Sequence, residues 1–273
     1  METAPPRPQR IRLLGQAVDL VTPDQVMAFI ARTIDAHARG LVANHTLHSL
    51  YLTPRTPGMR GVYDAADLIE VDSTPMLLWG KLTRKPTERR HRCTYLDWRE
   101  AFWTLAAARG WRVYYLGGAP GVAAEATERL GARWPGAVIE GRDGYFNATP
   151  GSDDNTLVLG EIARFAPDVL MVGMGMPRQE LWVAHHYAEL GPCVVLPVGA
   201  AFDYEVGVQK AAPRWMGRLG LEWAFRLARA PGRLAARYLV EPWSLIPAAM
   251  ADLAEAYGPK AASAAQPTIQ SSP

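Results

Sequence analysis

The chain is short of several things, and each shortage narrows its class. Among 273 residues there are two cysteines, Cys93 and Cys193. They lie far apart with no CxxC partner, so neither a disulfide framework nor a zinc ribbon is encoded. Cys193 sits in the apolar run Cys193-Val194-Val195-Leu196 and is expected as a small buried residue. No run approaches the roughly 18 to 20 apolar residues of a membrane span. The segment Met1-Glu2-Thr3-Ala4-Pro5-Pro6-Arg7-Pro8 lacks the apolar core of a signal peptide. The expectation is a cytoplasmic protein that touches a membrane only from its surface. Formal net charge is +2, too small to point to nucleic acid. No GxGxxG opens a βαβ unit, no P-loop is present and no Tyr-xxx-Lys pair occurs, which argues against a nicotinamide oxidoreductase or a sugar epimerase. His45 with His48, and His185 with His186, lack a third ligand at a metal-site spacing, so neither a metal nor a cofactor is expected. Asp153-Asp154-Asn155, in a Gly/Ser/Asp loop, reads as a turn or helix cap.

What is present is an ordinary globular composition, 49% apolar and 21% charged, in a chain long enough to bury its own core. Residues 1–10 and 258–273 are rich in Pro, Ala and Ser and are expected to be disordered ends. Between them, Ile11 to Leu20 suggests a hairpin, and Thr22-Pro23-Asp24 offers an N-cap with proline at the first helical position. Short β runs follow at Leu41–Ala43, Leu68–Val71, Val113–Leu116, Val138–Glu140, Val169–Val172 and Val194–Val198. Helical segments fall at about 96–108, 119–133, 154–165 and 178–189, with Gly110, Gly136 and Gly191 placed as C-caps. This alternation predicts an α/β fold, a Rossmann-like, mostly parallel sheet flanked by helices, over residues 11–210. From 211 to 257 the pattern is helical only, a C-terminal appendage.

Ligands in such sheets bind beyond the carboxyl ends of the strands, so the turns there carry the argument. Leu116-Gly117-Gly118-Ala119-Pro120-Gly121 is a glycine turn before a helix, where a close backbone and free amides suit phosphate. Val172-Gly173-Met174-Gly175-Met176-Pro177-Arg178-Gln179-Glu180 repeats the arrangement. Gln179 can both donate and accept, as a sugar or base edge requires, and Glu180 complements a helix N-terminus. Val198-Gly199-Ala200-Ala201-Phe202-Asp203 ends a third strand and places a carboxylate just beyond it. Together the three turns imply a nucleotide crevice. Asn44-His45-Thr46 and Val71-Asp72-Ser73-Thr74 follow two earlier strands. Asp72 is either an N-cap of a helix Pro75–Leu82 or a carboxylate facing the crevice, able to take a proton from an attacking hydroxyl.

Read together, these turns resemble the WecG/TagA/CpsF glycosyltransferase family. Gly173-Met174-Gly175-Met176-Pro177-Arg178-Gln179-Glu180 is close to the family's GxGxPxQE, and Val198 to Asp203 follows at the right distance. Ala212-Pro213-Arg214-Trp215-Met216, Gly220-Leu221-Glu222-Trp223 with Arg226-Leu227, and Arg233-Leu234 with Arg237-Tyr238 come next. Earlier, Asn44-His45-Thr46, Ala66-Asp67-Leu68 with Asp72, Arg92 with Asp97, and Leu116-Gly117-Gly118 fall in family order. The resemblance spans roughly residues 12–245. It implies an inverting, metal-independent transfer from a UDP-sugar to a polyprenyl-diphosphate-linked saccharide, in polysaccharide or cell-wall polymer assembly. The family's proposed base aligns with Asp72, and its donor-pocket residues with Asn44, Arg92, Gln179 and Asp97. The family's usual Asp-Gly is Asp72-Ser73 here, its Arg-Ala-Pro is Ala211-Ala212-Pro213 with Lys210 beside it, and its Glu-Pro is Ala230-Pro231.

In the mechanism so implied, Asp72 is the base, and Asn44 and Thr46 hold the acceptor. Amides at Gly117-Gly118 or Gly175, with nearby arginines, receive the departing diphosphate. In the C-terminal segment Trp215, Met216, Leu219, Trp223 and Leu227 form an apolar stripe flanked by Arg214, Arg218, Arg226, Arg229, Arg233 and Arg237. The stripe either packs on the domain or meets an anionic membrane surface, and some of the arginines could reach the diphosphate. The alternative to an enzyme is a non-catalytic nucleotide-sugar-binding partner in a polysaccharide assembly complex. A homo-oligomer is left open.

Overall fold

The computed structural model describes residues 8–213, 216 and 220–259. Strands β1 (Gln9–Leu13) and β2 (Gln16–Leu20) form the expected hairpin, which starts at Gln9, inside the stretch read as disordered, rather than at Ile11. Gln9 and Arg10 are held there by pairing with Leu20 and Asp19. Arg10 also donates to both carboxylate oxygens of Asp19, each at 2.8 Å. The expected tail from Gly258 lies outside the described residues from position 260 onward.

Helix α1 (Pro23–Asp35) opens as the sequence predicts. Thr22 is the N-cap, Gln25 completes a capping box, and proline occupies the first helical position. Then come β3 (Gly40–His45), α2 (Leu47–Leu52), α3 (Arg60–Ala65), β4 (Leu68–Val71), α4 (Thr74–Leu82) and α5 (Tyr95–Arg109). They are followed by β5 (Arg112–Gly117), α6 (Val122–Arg133), β6 (Val138–Arg142), α7 (Asp153–Phe165), β7 (Val169–Gly173), α8 (Arg178–His186), β8 (Val194–Pro197) and α9 (Ala201–Val206). After Ala211 the described residues hold α10 (Glu222–Arg229), α11 (Pro231–Ala235), a π turn, a 3-10 turn and α12 (Ile246–Tyr257), and no strand. All six expected β runs are strands. Of the expected C-cap glycines, only Gly110 adopts the left-handed cap; α6 ends at Trp134 and α8 at Tyr187. Gly136 instead makes room for the Ala107 carbonyl, which a Cβ there would meet at 2.2 Å.

The six later strands form one parallel sheet in the order β4-β3-β8-β7-β5-β6, so β3 and β8, distant in sequence, lie side by side within it. Period-two alternation sorts their side chains onto two faces. Val42, Leu68, Val113, Tyr115, Met171 and Leu196 pack under α1, α5 and α6. Leu41, Ile69, Leu116, Leu170, Val172 and Val195 pack under α3, α7 and α8. A smaller core joins the hairpin, α2 and α4 through Leu13, Val18, Leu50, Val71, Met76 and Leu77.

The C-terminal helix is bolted to this body at one buried point. Asp252, 4% exposed, accepts the Leu14 backbone N–H and the Trp79 indole N–H, both at 2.9 Å. Asp252→Ala strands both donors in a buried position, which costs about 2–6 kcal/mol at roughly 1–3 per orphaned group. Chemical denaturation should show that loss, and a midpoint equal to the wild type would contradict the bolt.

Candidate functional site

A cavity of about 900 Å³ opens beyond the carboxyl ends of β3, β4, β7 and β8 and is closed on its far side by α10 and the turns that follow it. It collects most of the residues that the sequence singles out: Asn44, Thr46, Asp72, Arg92, Gly175, Gln179, Gly199, Asp203, Arg226 and Arg237 all line it. Arg214, with Trp215, Arg218 and Leu219 of the predicted stripe, lies outside the described residues, as does the side chain of Arg233.

Asp72 stands where β4 ends. It is not a helix cap: Ser73 is the N-cap residue of α4, and no side-chain cap bond forms there. The Asp72 carboxyl therefore faces the cavity. Burial pushes its pKa up to about 6, against the pull of Arg226 and Arg92, while Glu222 and Asp97 add to the rise. Arg92 is clamped from two sides, by Glu222 at 2.8 Å and by Asp97 at 3.4 Å. Asp97 is thus drawn behind Arg92 and does not line the cavity; Thr94 donates its hydroxyl to it at 2.9 Å. From α10, Arg226 donates to the Tyr204 hydroxyl at 2.7 Å. The Nε of Arg237, from the turn after α11, is buried without a hydrogen-bond partner.

The three glycine turns have different jobs. A Cβ on Gly117 would sit 2.3 Å from the Gly173 carbonyl oxygen, and one on Gly173 would sit 2.3 Å from the Tyr115 hydroxyl and 2.4 Å from the Gly199 carbonyl oxygen. These two glycines let neighbouring strand ends pack against one another. The Gly118 amide is spent on the Gly173 carbonyl at 3.1 Å. Contrary to expectation, Gly117 and Gly118 do not line the cavity. Gly175 and Gly199 do, with φ of +78° and +55° and open space where a side chain would be.

Several expected ligand groups are also tied to the scaffold. Thr46 caps α2, accepting the Ser49 N–H at 3.1 Å. Asn44 ties β3 to β8 by donating to the Pro197 carbonyl at 2.8 Å. Gln179 accepts the Gly175 N–H at 3.1 Å and donates to Glu180 at 2.8 Å. Burial pushes Glu180 up to about 7, so the residue read as a dipole complement also fixes the Gln179 amide. The four histidines considered as ligands are engaged elsewhere or apart. His45 meets the Ser49 hydroxyl at 2.9 Å, His48 pairs with Glu241, and His186 meets Asn155. Among the described residues no group of three His, Cys, Asp or Glu is placed to hold a metal ion.

Sequence reasoning missed Glu222, Tyr204 and Glu70. Glu222 stands inside the motif Gly220-Leu221-Glu222-Trp223 but was given no role there, and Tyr204 had no signal beyond its nearness to the Val198–Asp203 turn. Glu70 carried one, an acid inside an otherwise apolar strand.

A polar crevice lined by arginines and carboxylates at the carboxyl edge of a parallel sheet is where α/β enzymes bind their ligands. Residues 11–258 match the Glycosyl transferase WecG/TagA/CpsF family, and the chain belongs to it. It is a glycosyltransferase. One relative, the N-acetylglucosaminyldiphosphoundecaprenol N-acetyl-beta-D-mannosaminyltransferase of Bacillus spizizenii (strain ATCC 23059 / NRRL B-14472 / W23), is 33% identical over 181 residues, 66% of this chain and 67% of the relative. The protein of the same name from Bacillus subtilis (strain 168) is 37% identical over 124 residues, 45% of this chain and 46% of its own length.

The raised Asp72 pKa has a consequence that needs no substrate. The folded protein binds this proton more tightly than the unfolded chain, whose carboxyl titrates near 3.8. The ionised carboxylate therefore subtracts stability above about pH 6 and nothing well below 4. Asp72→Asn should be more stable than wild type at pH 7.5, by about 1–3 kcal/mol at 1.36 kcal/mol per unit, with the gain shrinking toward pH 4. Thermal unfolding across pH measures this; a variant less stable than wild type at pH 7.5 would contradict the assigned environment.

Proposed function

We propose that the chain transfers a sugar, with inversion and without a metal, from a UDP-sugar to a saccharide carried on a polyprenyl diphosphate. The observation that carries the reading is Asp72: a carboxylate with a pKa near neutrality, on the wall of a cavity that Arg92, Arg226, Arg229 and Arg237 also line. The relatives' name describes N-acetylmannosamine transfer onto N-acetylglucosaminyl-diphosphoundecaprenol, and a cavity of about 900 Å³ has room for a nucleotide-sugar and the sugar end of such an acceptor.

In this reading the acceptor hydroxyl attacks the anomeric carbon as Asp72 takes its proton. The bond from that carbon to the diphosphate oxygen breaks with its electron pair on the departing UDP. Arg226 and Arg237, the latter with its Nε unused, stabilise the growing negative charge. The open turns at Gly175 and Gly199 let the donor approach the backbone. Asn44, Thr46 and Gln179 supply directed polar edges, Asp203 lies on the same wall, and Arg92 with Asp97 completes the charge balance around the base.

The membrane-facing part of the reading shifts along the chain. In the predicted stripe Trp223 is only 39% exposed, whereas Leu239, Val240, Trp243, Ile246 and Met250 beyond it are 49–70% exposed. No helix among the described residues is long and apolar enough to cross a membrane. These side chains suit shallow insertion at an anionic, inner-face lipid surface beside the site.

Asp72→Asn should lower kcat by about 10²- to 10⁴-fold with little change in donor KM. The assay is acceptor-dependent UDP release from a panel of UDP-sugars in the presence of EDTA. Normal turnover in the variant would remove Asp72 from the mechanism. Separately, the double change Val240→Ser and Trp243→Ser should weaken flotation with anionic phospholipid vesicles by about tenfold or more, since burying either side chain contributes roughly 1.5–3 kcal/mol. Unchanged flotation would move the contact elsewhere.

A further inference from the structure

Glu70 occupies a core position. On β4, Leu68 faces the hydrophobic layer under α5, and the strand period puts position 70 on the same face. Glu70 is 5% exposed, its Oε1 has no hydrogen-bond partner, and the indole Nε1 of Trp98, itself 3% exposed, has none either. No arginine, lysine or histidine forms an ion pair with Glu70 among the described residues. An acid buried so is costly unless it is neutral or does something.

What surrounds it is polar on one side only. A second cavity, of about 60 Å³, lies behind the main one and is lined by Glu70, Asp72, Asn44, Arg92, Trp98 and Arg226, among others. It is large enough for water. Glu70 lies on β4 and Asp72 just past its end, two residues on, and both line this small space. Burial pushes Glu70 up to about 8, and the negative charges of Asp72 and Asp97 push in the same direction, opposed by the nearby Trp98 indole. Asp72 rises only to about 6 because Arg226 and Arg92 pull against its burial. At neutral pH the pair therefore holds about one proton between them.

We propose that Glu70 is a positioning residue for the transfer: as a neutral carboxylic acid it holds and orients the Asp72 carboxylate through the polar cavity that both side chains line. This rests on the reading of Asp72 as the base. During the reaction Glu70 keeps its proton. The acceptor's proton goes to Asp72, so the pair passes from one proton to two as the new glycosidic bond forms and the bond to the diphosphate breaks. Asp72 then returns its proton to solvent through the main cavity. Above the Glu70 pKa two adjacent carboxylates repel, and the hold on Asp72 is lost.

The groups that titrate or carry charge around Glu70 are few. Asp72 lies just past the end of its strand and Asp97 and Tyr95 on α5. Arg92 and Cys93 lie on the segment before α5, and Arg226 lies on α10. Burial raises the Cys93 and Tyr95 pKa values out of the working range, and the arginines stay charged. Of the two carboxyls here that burial raises, Glu70 is the one whose ionisation falls near 8.

The test is a pH profile of kcat/KM for the full chain as wild type, Glu70→Gln, Glu70→Leu and Asp72→Asn. Wild type should rise through about pH 6 and fall through about pH 8. Glu70→Gln should keep the rise and lose the fall. Glu70→Leu, without a donor, should lose about tenfold or more in kcat with donor KM nearly unchanged, and Glu70→Gln should recover most of that loss. An alkaline fall that persists in Glu70→Gln, or wild-type kcat in Glu70→Leu, overturns the proposal. If Asp72→Asn is inactive while Glu70→Leu is normal, only the role of Glu70 fails; if Asp72→Asn is active, the base assignment fails. A readout independent of turnover is the infrared difference between wild type and Glu70→Gln. A protonated-carboxyl band present at pH 7 and lost through about pH 8 supports the proposal, and its absence at pH 7 overturns it.

Discussion

Arg92 joins parts of the chain that the sequence keeps apart. Its guanidinium reaches Asp97 at the start of α5 and, across 130 residues, Glu222 at the start of α10. That cross-link, with Arg226 held over Asp72 by Tyr204, brings the helical appendage onto the mouth of the sheet. The charges involved are half-buried, so they interact more strongly than a surface pair and cost more to leave unmatched. Asp72 owes its proton affinity to this balance of burial against two cations. The far end of the appendage is fixed independently, by Asp252 on Leu14 and Trp79. The site is therefore a property of the closed arrangement: the sheet side supplies the Asp72 carboxyl and Arg92, and the appendage supplies Arg226 and Glu222.

The same balance explains why the site costs stability. Glu70, Asp72 and Glu180 are all carboxylic acids held above their ordinary range by burial, and ionising any of them works against folding. The compensation comes from the two-sided core of Val, Leu and aromatic side chains around the sheet and from strand ends packed at glycine contact distance. Such local conflict inside a well-packed body is where function is usually found.

Much of the fold was legible because its signals are local. Runs such as Val169–Val172 and Val194–Leu196 are continuous and apolar, as strands covered on both faces must be, and Thr22-Pro23 announces a helix by capping chemistry alone. What was not legible depends on distance. Strand order places β8 between β3 and β7, and no single residue encodes it. The packing jobs of Gly117 and Gly173 were not legible because a glycine that admits a neighbouring carbonyl looks, in sequence, the same as one that admits a phosphate. The short helices α2, α3 and α9 are too brief for a helical period to show. Of the site, Asp72, Asn44, Gly175, Gly199, Arg226 and Arg237 were legible through family-like motifs. Glu222 and Glu70 were not, since an acid's role there is set by what folds against it.

The most direct measurement of the central claim is a crystal structure of the full chain with UDP bound. The account predicts the diphosphate inside the cavity of about 900 Å³, near the Gly175 and Gly199 turns and within hydrogen-bond reach of Arg226 or Arg237. A diphosphate lodged against Gly117-Gly118, or bound away from the appendage altogether, would contradict it.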